Sequence, residues 1–291
     1  MNAVQTLSNR RGVRTIFLSA LLILSWSCAR ADWRFDGETG VFYDSNLSNS
    51  DRAPDEKEDL AWESKVRAGN GFQLSRDFLL NLSTDFHSTV WDRYDAFNEI
   101  GGGAAAALRY RFGLGRQAPW ILLDERIGYA GFRETVRNGW NESLRLRAGV
   151  AITERIALEG GYAFENFAAR DDFFDLLSHH VDLRLVVDLT SSLQIALGYN
   201  YRDGDIIAYA VPPRPELGLI ASERELVSTF GNDPLYTAYR LQAQTHAVSV
   251  SASYAFTKYF SVALAYEYAA TSHDPLQYKN HVVEAKVGFA Y

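Results

Sequence analysis

The side chains best suited to chemistry in this chain are six histidines and a large set of arginines and carboxylates. A serine nucleophile needs its histidine base within hydrogen-bond reach. On an extended strand that means residues two apart, because neighbours point to opposite faces. The order His-x-Ser is absent: His87-Ser88 and Ser178-His179 are immediate neighbours, and His246 and Ser249 are out of phase. No enzymatic activity is expected. His179 and His180 also alternate, so they are not expected to share a metal, and no cofactor is implied. The remaining chemistry is ionic, with charges at every second position in SLRLRAGV (143–150) and HVDLRLVV (180–187). Such rows either orient charged solutes or neutralise one another.

The elements that carry these rows read as strands. Almost everything after residue 32 alternates apolar with polar or small residues, as in LLNLSTDFHSTV (79–90), HAVSVSASYAF (246–256) and FSVALAYEY (260–268). Period-two alternation means a strand with one apolar and one polar face. Twelve strands are expected, starting near residues 33, 60, 78, 99, 120, 140, 156, 180, 193, 243, 260 and 281. All seven prolines fall between them, where no ladder donor is lost. Short connections (75–77, 153–155, 190–192, 257–259 and a longer 113–119) alternate with long ones (45–59, 91–98, 132–139, 168–178, 203–240, 269–279).

A soluble sandwich would bury the apolar faces, whereas a membrane barrel would turn them to lipid. Strands of this length exceed the roughly 5–6 residues typical of sandwiches and match the roughly 9–11 that span a bilayer when tilted. The alternation of short and long loops fits periplasmic turns and extracellular loops. Trp33, Trp62, Trp91, Trp120 and Trp140 all fall near strand ends, as aromatic girdles require. Tyr199, Tyr201, Tyr266 and Tyr268 join the outer girdle; Tyr254, Phe256, Phe260, Phe289 and Tyr291 join the inner one. The expected fold is all-β, a closed antiparallel up-and-down transmembrane β-barrel of about 12 strands. An even count puts both termini in the periplasm.

At the start of the chain, Arg10, Arg11 and Arg14 precede the apolar run IFLSALLIL (16–24), and Ala29-Arg30-Ala31 follows. That is the pattern of a secretory signal peptide over residues 1–31, leaving one barrel domain over 32–291. Cys28, the sole cysteine, would leave with it. The formal net charge is −7; without residues 1–31, which hold four arginines and no acid, it becomes −11. A nucleic-acid partner is therefore not expected.

VEAKVGFAY (283–291) resembles the C-terminal recognition strand of Gram-negative outer-membrane β-barrels, which the whole chain after residue 31 resembles in pattern. GVFYDSNLS (40–48) resembles the opening of barrels in surface-lipoprotein assembly modifiers and exopolysaccharide-associated outer-membrane proteins, without their helical repeat domain. The resemblance implies an outer-membrane location. It also implies contact with outer-membrane lipid and lipopolysaccharide, and assembly machinery that reads Val287, Phe289 and Tyr291.

Strand parity then assigns the lumen. Glu38, Glu63, Lys65, Arg67, Asp85, Arg109, Arg111, Arg126, Arg145, Arg147, Glu159, Asp182, Arg184, Arg202, Glu267, Glu284 and Lys286 point inward. The arginines of the fourth to sixth strands face a more acidic wall on the last three strands and the first. The expected function is passive diffusion of small polar or charged solutes through a porin-like channel. The alternative is a non-enzymatic barrel subunit of an export, surface-assembly or exopolysaccharide system, with a protein partner or a small solute in the lumen. GGGAAAAL (101–108) has small residues on both faces, which reads as a thin strand or as room for an inserted segment. Residues 203–240 are expected to form a long loop that folds inward or lies exposed, with a short helix near LGLIASEREL (217–226). Loop 45–59 reads as solvated. Glu125 falls on the lipid parity, unless a bulge turns it inward.

Overall fold

A computed structural model describes residues 33–115, 117–232 and 234–291. The expected signal peptide, its cleavage site and Cys28 lie outside the described residues. The barrel unit covers Arg34–Tyr291. Its strands are β1 (Arg34–Asp44), β2 (Asp59–Gln73), β3 (Phe78–Trp91), β4 (Glu99–Arg111), β5 (Trp120–Phe132), β6 (Gly139–Ala151), β7 (Ile156–Ala169), β8 (Leu176–Asp188), β9 (Leu193–Ala210), β10 (Glu223–Val227), β11 (Tyr236–Ala255), β12 (Phe260–His273) and β13 (Leu276–Ala290). One short helix, α1 (Pro215–Ile220), precedes β10.

Twelve strands close in sequence order, β1 to β9 and then β11 to β13, all antiparallel. The thirteenth, β10, pairs with β11 beyond the ring. Closure joins β13 to β1, with Asp36 opposite Ala290. Phe35 and Tyr291 exchange backbone hydrogen bonds of 3.0 and 2.8 Å. Within the twelve-stranded ring no edge is left unpaired, so its strands satisfy their backbone groups within the protein.

The outward parity carries Val66, Phe86, Leu123, Leu144, Leu183, Leu197, Val250, Leu264 and Val287, all exposed. An apolar belt that runs right round a molecule needs an apolar solvent. A strand of 11 residues tilted by about 40° spans roughly 28 Å, the depth of a hydrocarbon core.

At one end, four hairpins share a turn. Ser75, Thr153, Thr190 and Thr257 each accept bonds from the two backbone N–H groups two and three residues on. The longer fifth turn needs the left-handed conformation of Gly113 and Gly115, at φ 101° and 92°. At the other end, three loops also share a design. Asn98, Asn138 and Asp175 follow 3-10 turns and accept from the backbone N–H groups of Trp91, Phe132 and Ala169 at 2.7, 2.6 and 2.6 Å.

Several strands run further than the alternation implies. β8 starts at Leu176 rather than near 180, β13 at Leu276 rather than near 281, and β11 at Tyr236 rather than near 243. Above the apolar belt an outward residue no longer has to be apolar, so alternation fades while backbone pairing continues. The helix and β10 divide the stretch expected to be one short helix.

Two tryptophans depart from the girdle. Trp62 and Trp140 are outward and exposed. Trp91 packs edge-on against lumen-facing Phe42, and Trp120 lies beneath the Arg109 guanidinium, 4.8 Å from the ring centre. Both share parity with the inward charges of their strands. The outer belt instead repeats a tyrosine–histidine unit. Tyr162–His179, Tyr199–His246 and Tyr266–His281 are hydrogen-bonded through Nδ1 at 2.7, 2.8 and 2.9 Å. Glu125 keeps its outward parity: its pairing to Ala106 and Leu144 is continuous, with no bulge.

Candidate functional site: the lumen and its cap

The inward rows enclose a string of cavities rather than a filled core. One, of about 580 Å³, lies between Lys65, His87, Arg126, Arg145, Glu165 and Arg202. Asp124 separates it from a second, of about 440 Å³, lined by Arg67, Asn81, Arg109, Trp120 and Arg147. Arg109 also borders a third, of about 500 Å³, at the short-turn end, with Arg111 and Glu159. A smaller cavity of about 270 Å³ sits at the long-loop end, bounded by Glu99, Asn141, Phe167 and Ile207.

Many lumenal charges are paired. Arg126 grips Asp85 with both its Nε and an Nη, at 3.0 and 2.7 Å, and also donates to Asn141. His87 lies 2.9 Å from Glu99 and 3.5 Å from Asp85. Arg145 meets Glu165 at 2.6 Å. Lys286 bridges Glu63 and Glu284 at 3.1 and 2.7 Å, and Arg67 meets Asp36 at 3.1 Å. Arg202 donates to the Asp205 carbonyl at 2.5 Å. Glu159 and Arg184 face each other across β7 and β8, and Asp182 faces Gly161. Glu38 and Glu267 lie on the acidic wall without an ion pair among the described residues, as do Arg109, Arg111 and Arg147 on the basic one. Pairing therefore thins the expected basic–acidic contrast to these groups.

The small residues of β4 have a local cause. Arg126 on β5 must reach across β4 to Asp85 on β3, and His87 leans over the same strand. A Cβ on Gly101 would come within 2.6 Å of the His87 ring, and one on Gly103 within 3.0 Å of the Arg126 guanidinium. Neighbouring side chains occupy the room that the sequence suggested for an inserted segment.

The stretch expected as one loop over 203–240 holds the ends of β9 and β11, with α1 and β10 between them. β9 and β11 continue past the ring as a two-stranded ribbon whose two faces are both buried. On one face Ile206, Ala208, Tyr239 and Leu241 pack with Leu217 of α1 and with Leu276 and Tyr278 of β13. On the other, Ile207, Tyr209, Tyr236 and Ala238 pack with Phe173 and Phe174, and Phe97 and Phe230 pack against that cluster. Ile207 lines the same cavity as Glu99, Ala130 and Asn141, which belong to β4, β5 and β6. The ribbon thus crosses the long-loop mouth and caps it. Tyr239, Leu217, Leu241 and Leu276 are fully buried, and each such side chain contributes about 1.5–3 kcal/mol.

Loop 45–58 clasps the free edge of the ribbon and is not a solvated loop. Ser48 accepts from the Tyr209 N–H at 2.9 Å, and Asn49 donates to the Ile207 carbonyl at 2.9 Å. Asp51 pairs with Arg214, and Arg52 with Glu216 at 3.1 Å. Asn46, Ser48, Ser50 and Asp55 are buried.

From the opposite side Arg137 latches the cap. It is buried, bonds Glu134 at 2.6 Å, the Tyr209 hydroxyl at 2.5 Å and Thr229 at 3.2 Å, and lies on the Phe174 ring. Burial opposes its charge, but Tyr209 and Glu134 outweigh that and hold the guanidinium above its ordinary pKa. Removing one partner of a buried pair costs about 3–5 kcal/mol. Arg137→Ala should therefore loosen the cap without opening the ring. Limited proteolysis should cut residues 211–235 faster, in a barrel that stays heat-modifiable; an unchanged cleavage rate would rule out the latch.

One pairing escaped the sequence reading. Ser178-x-His180, the reverse of the order sought, puts Ser178 Oγ 3.0 Å from His180 Nε2, with Glu165 3.4 Å from the same nitrogen. A base needs one nitrogen for the nucleophile and the other for the acid. Here both contacts use Nε2, so the group is a polar cluster on the lumen wall.

No protein-family model matches the chain, and no curated protein matches it in sequence. Its fold does have counterparts. An outer membrane channel from Pseudomonas putida matches with a TM-score of 0.62 at 12% identity, over 91% of this chain and 97% of that one. The NanC porin matches with a TM-score of 0.45 at 12% identity, over 88% and 98%. The CymD monoaromatic hydrocarbon channel matches with a TM-score of 0.47 at 10% identity, over 90% and 89%. The first carries the comparison; the other two are more distant. With its closed ring and apolar outer belt, the chain has the fold of a twelve-stranded outer-membrane β-barrel.

Proposed function

We propose that this barrel is an outer-membrane channel through which small polar or charged solutes diffuse passively, with the β9–β11 ribbon narrowing its external mouth. The observation that carries this reading is the string of charged cavities along the lumen, joined through shared walls at Asp124 and Arg109. A barrel serving only as a scaffold would gain more from a lumen closed by ion pairs. Rows of fixed charges in a wet pore let ions pass while orienting them. In this reading the short turns and both ends of the ring, at Arg34 and Ala290, face the periplasm. The capped mouth faces the cell exterior. Glu38, Glu63, Lys65, Arg67, Asp85, Arg126, Arg145, Arg202, Glu267, Glu284 and Lys286 line the path.

Liposome swelling tests the reading. Vesicles holding the purified barrel should swell in small zwitterions and monosaccharides, and more slowly as solute size rises. Vesicles that do not swell in any solute would favour a barrel filled by a protein partner.

A further inference from the structure

The arginines around the second cavity and its neighbour differ in their partners. Arg67, Arg126 and Arg145 each hold a carboxylate. Arg109 and Arg147 hold none among the described residues, and the Nε of each is buried without a hydrogen-bond partner. The two occupy one row of the sheet: Leu122 on β5 is the register partner of both. They line one cavity of about 440 Å³, with Asn81, Ser83 and the Trp120 ring. None of the nearby acids Asp36, Asp124 and Glu159, the last sharing the next cavity with Arg109, makes an ion pair with either arginine. Asp36 is taken by Arg67 at 3.1 Å.

The backbone makes room for these side chains. A Cβ on Gly149 would come within 2.5 Å of the Trp120 ring, and one on Gly161 within 2.9 Å of the Arg147 side chain. Trp120 in turn carries the Arg109 guanidinium over its face. Two cations two strands apart, on β4 and β6, thus line one space whose wall between them carries Leu122 and Trp120. Like charges in a confined, partly desolvated space are costly unless an anion joins them. Guanidinium forks match a carboxylate in a planar, two-bond geometry.

We infer that Arg109 and Arg147 form a binding station for small organic carboxylates, with Leu122 and Trp120 accepting the apolar body of the ligand. The inference deepens the channel reading by naming a solute class, and rests on that reading for transport but not for binding.

The test is calorimetry of the purified, heat-modifiable barrel in detergent, with benzoate as the probe and benzylamine as its cationic counterpart. Benzoate should bind and benzylamine should not. Arg109→Gln and Arg147→Gln should each weaken benzoate by about tenfold or more, as a lost charge-assisted hydrogen bond does. Arg147→Lys keeps the charge, is the milder change for folding, and should retain part of the affinity. Lys258→Gln, in an exposed short turn outside the cavity, should bind as the parent does. A folded barrel that ignores benzoate, or arginine variants with unchanged affinity, would overturn the station while leaving the swelling result intact. Benzoate binding by a barrel that passes no solute would uphold the station and reject the channel.

Discussion

Replacing residues 206–241 with an Asn-Gly turn should raise single-channel conductance several-fold. The register allows the change, because Asp205 lies opposite Gln242 at the point where the ribbon leaves the wall. A two-residue Asn-Gly loop closes antiparallel strands in a turn whose twist suits them. Below it, β9 and β11 keep their pairing from Gly204–Ala243 down to Leu193–Tyr254, so the ring stays closed. What is removed is the material across the mouth: the Ile206–Tyr239–Leu241 face, α1 with Leu217, β10, and the Tyr209 hydroxyl that Arg137 holds. The cavity beneath Ile207 would then open directly to solvent. Planar-bilayer recordings of the two proteins check this. Equal conductance would mean that the narrowest point lies elsewhere, at the Arg126–Asp85 and Lys286–Glu63 pairs.

The second large effect concerns closure. Phe289→Asp and Tyr291→Ser should each lower the amount of assembled barrel, without changing export to the periplasm. Phe289 faces outward opposite Gly37 on β1 and meets the Phe260 ring at 5.2 Å. Replacing it with Asp forfeits about 2 kcal/mol of apolar transfer. A charge at the edge of the lipid face adds up to about 1 kcal/mol. The Tyr291 ring stacks on Tyr259 at 5.9 Å, beside the two backbone bonds to Phe35 that finish the seam. The seam has no alternative partner in the ring, because every other ring strand is already paired on both sides. Heat-modifiable barrel at parental levels in both variants would contradict this account of closure.

Much of this architecture is legible in the sequence, because a lipid-facing strand obeys a strict two-residue period. HVDLRLVV and FSVALAYEY give both the faces and the start of the strand to within a few residues. Charges such as Glu284 and Lys286 land on the lumen by parity alone. Parity names a face but not a reach. Nothing in GGGAAAAL says that Arg126 will cross the strand to Asp85, although the glycines become intelligible once it does. The cap was harder to read for a different reason. In DIIAYAV (205–211) and YTAYRLQA (236–243) apolar residues occupy both parities, which marks a ribbon buried on two sides rather than a loop. The polar composition of 45–59 misled in the opposite direction. Its Asn, Ser and Asp side chains satisfy buried backbone groups under the cap, and composition alone cannot distinguish that from solvation.

Recording the unmodified protein in a planar bilayer tests whether the lumen conducts. Discrete channel steps of small amplitude should appear without any partner protein. A purified, heat-modifiable barrel that stays silent at every voltage, with the β9–β11 ribbon present or removed, would contradict the channel reading.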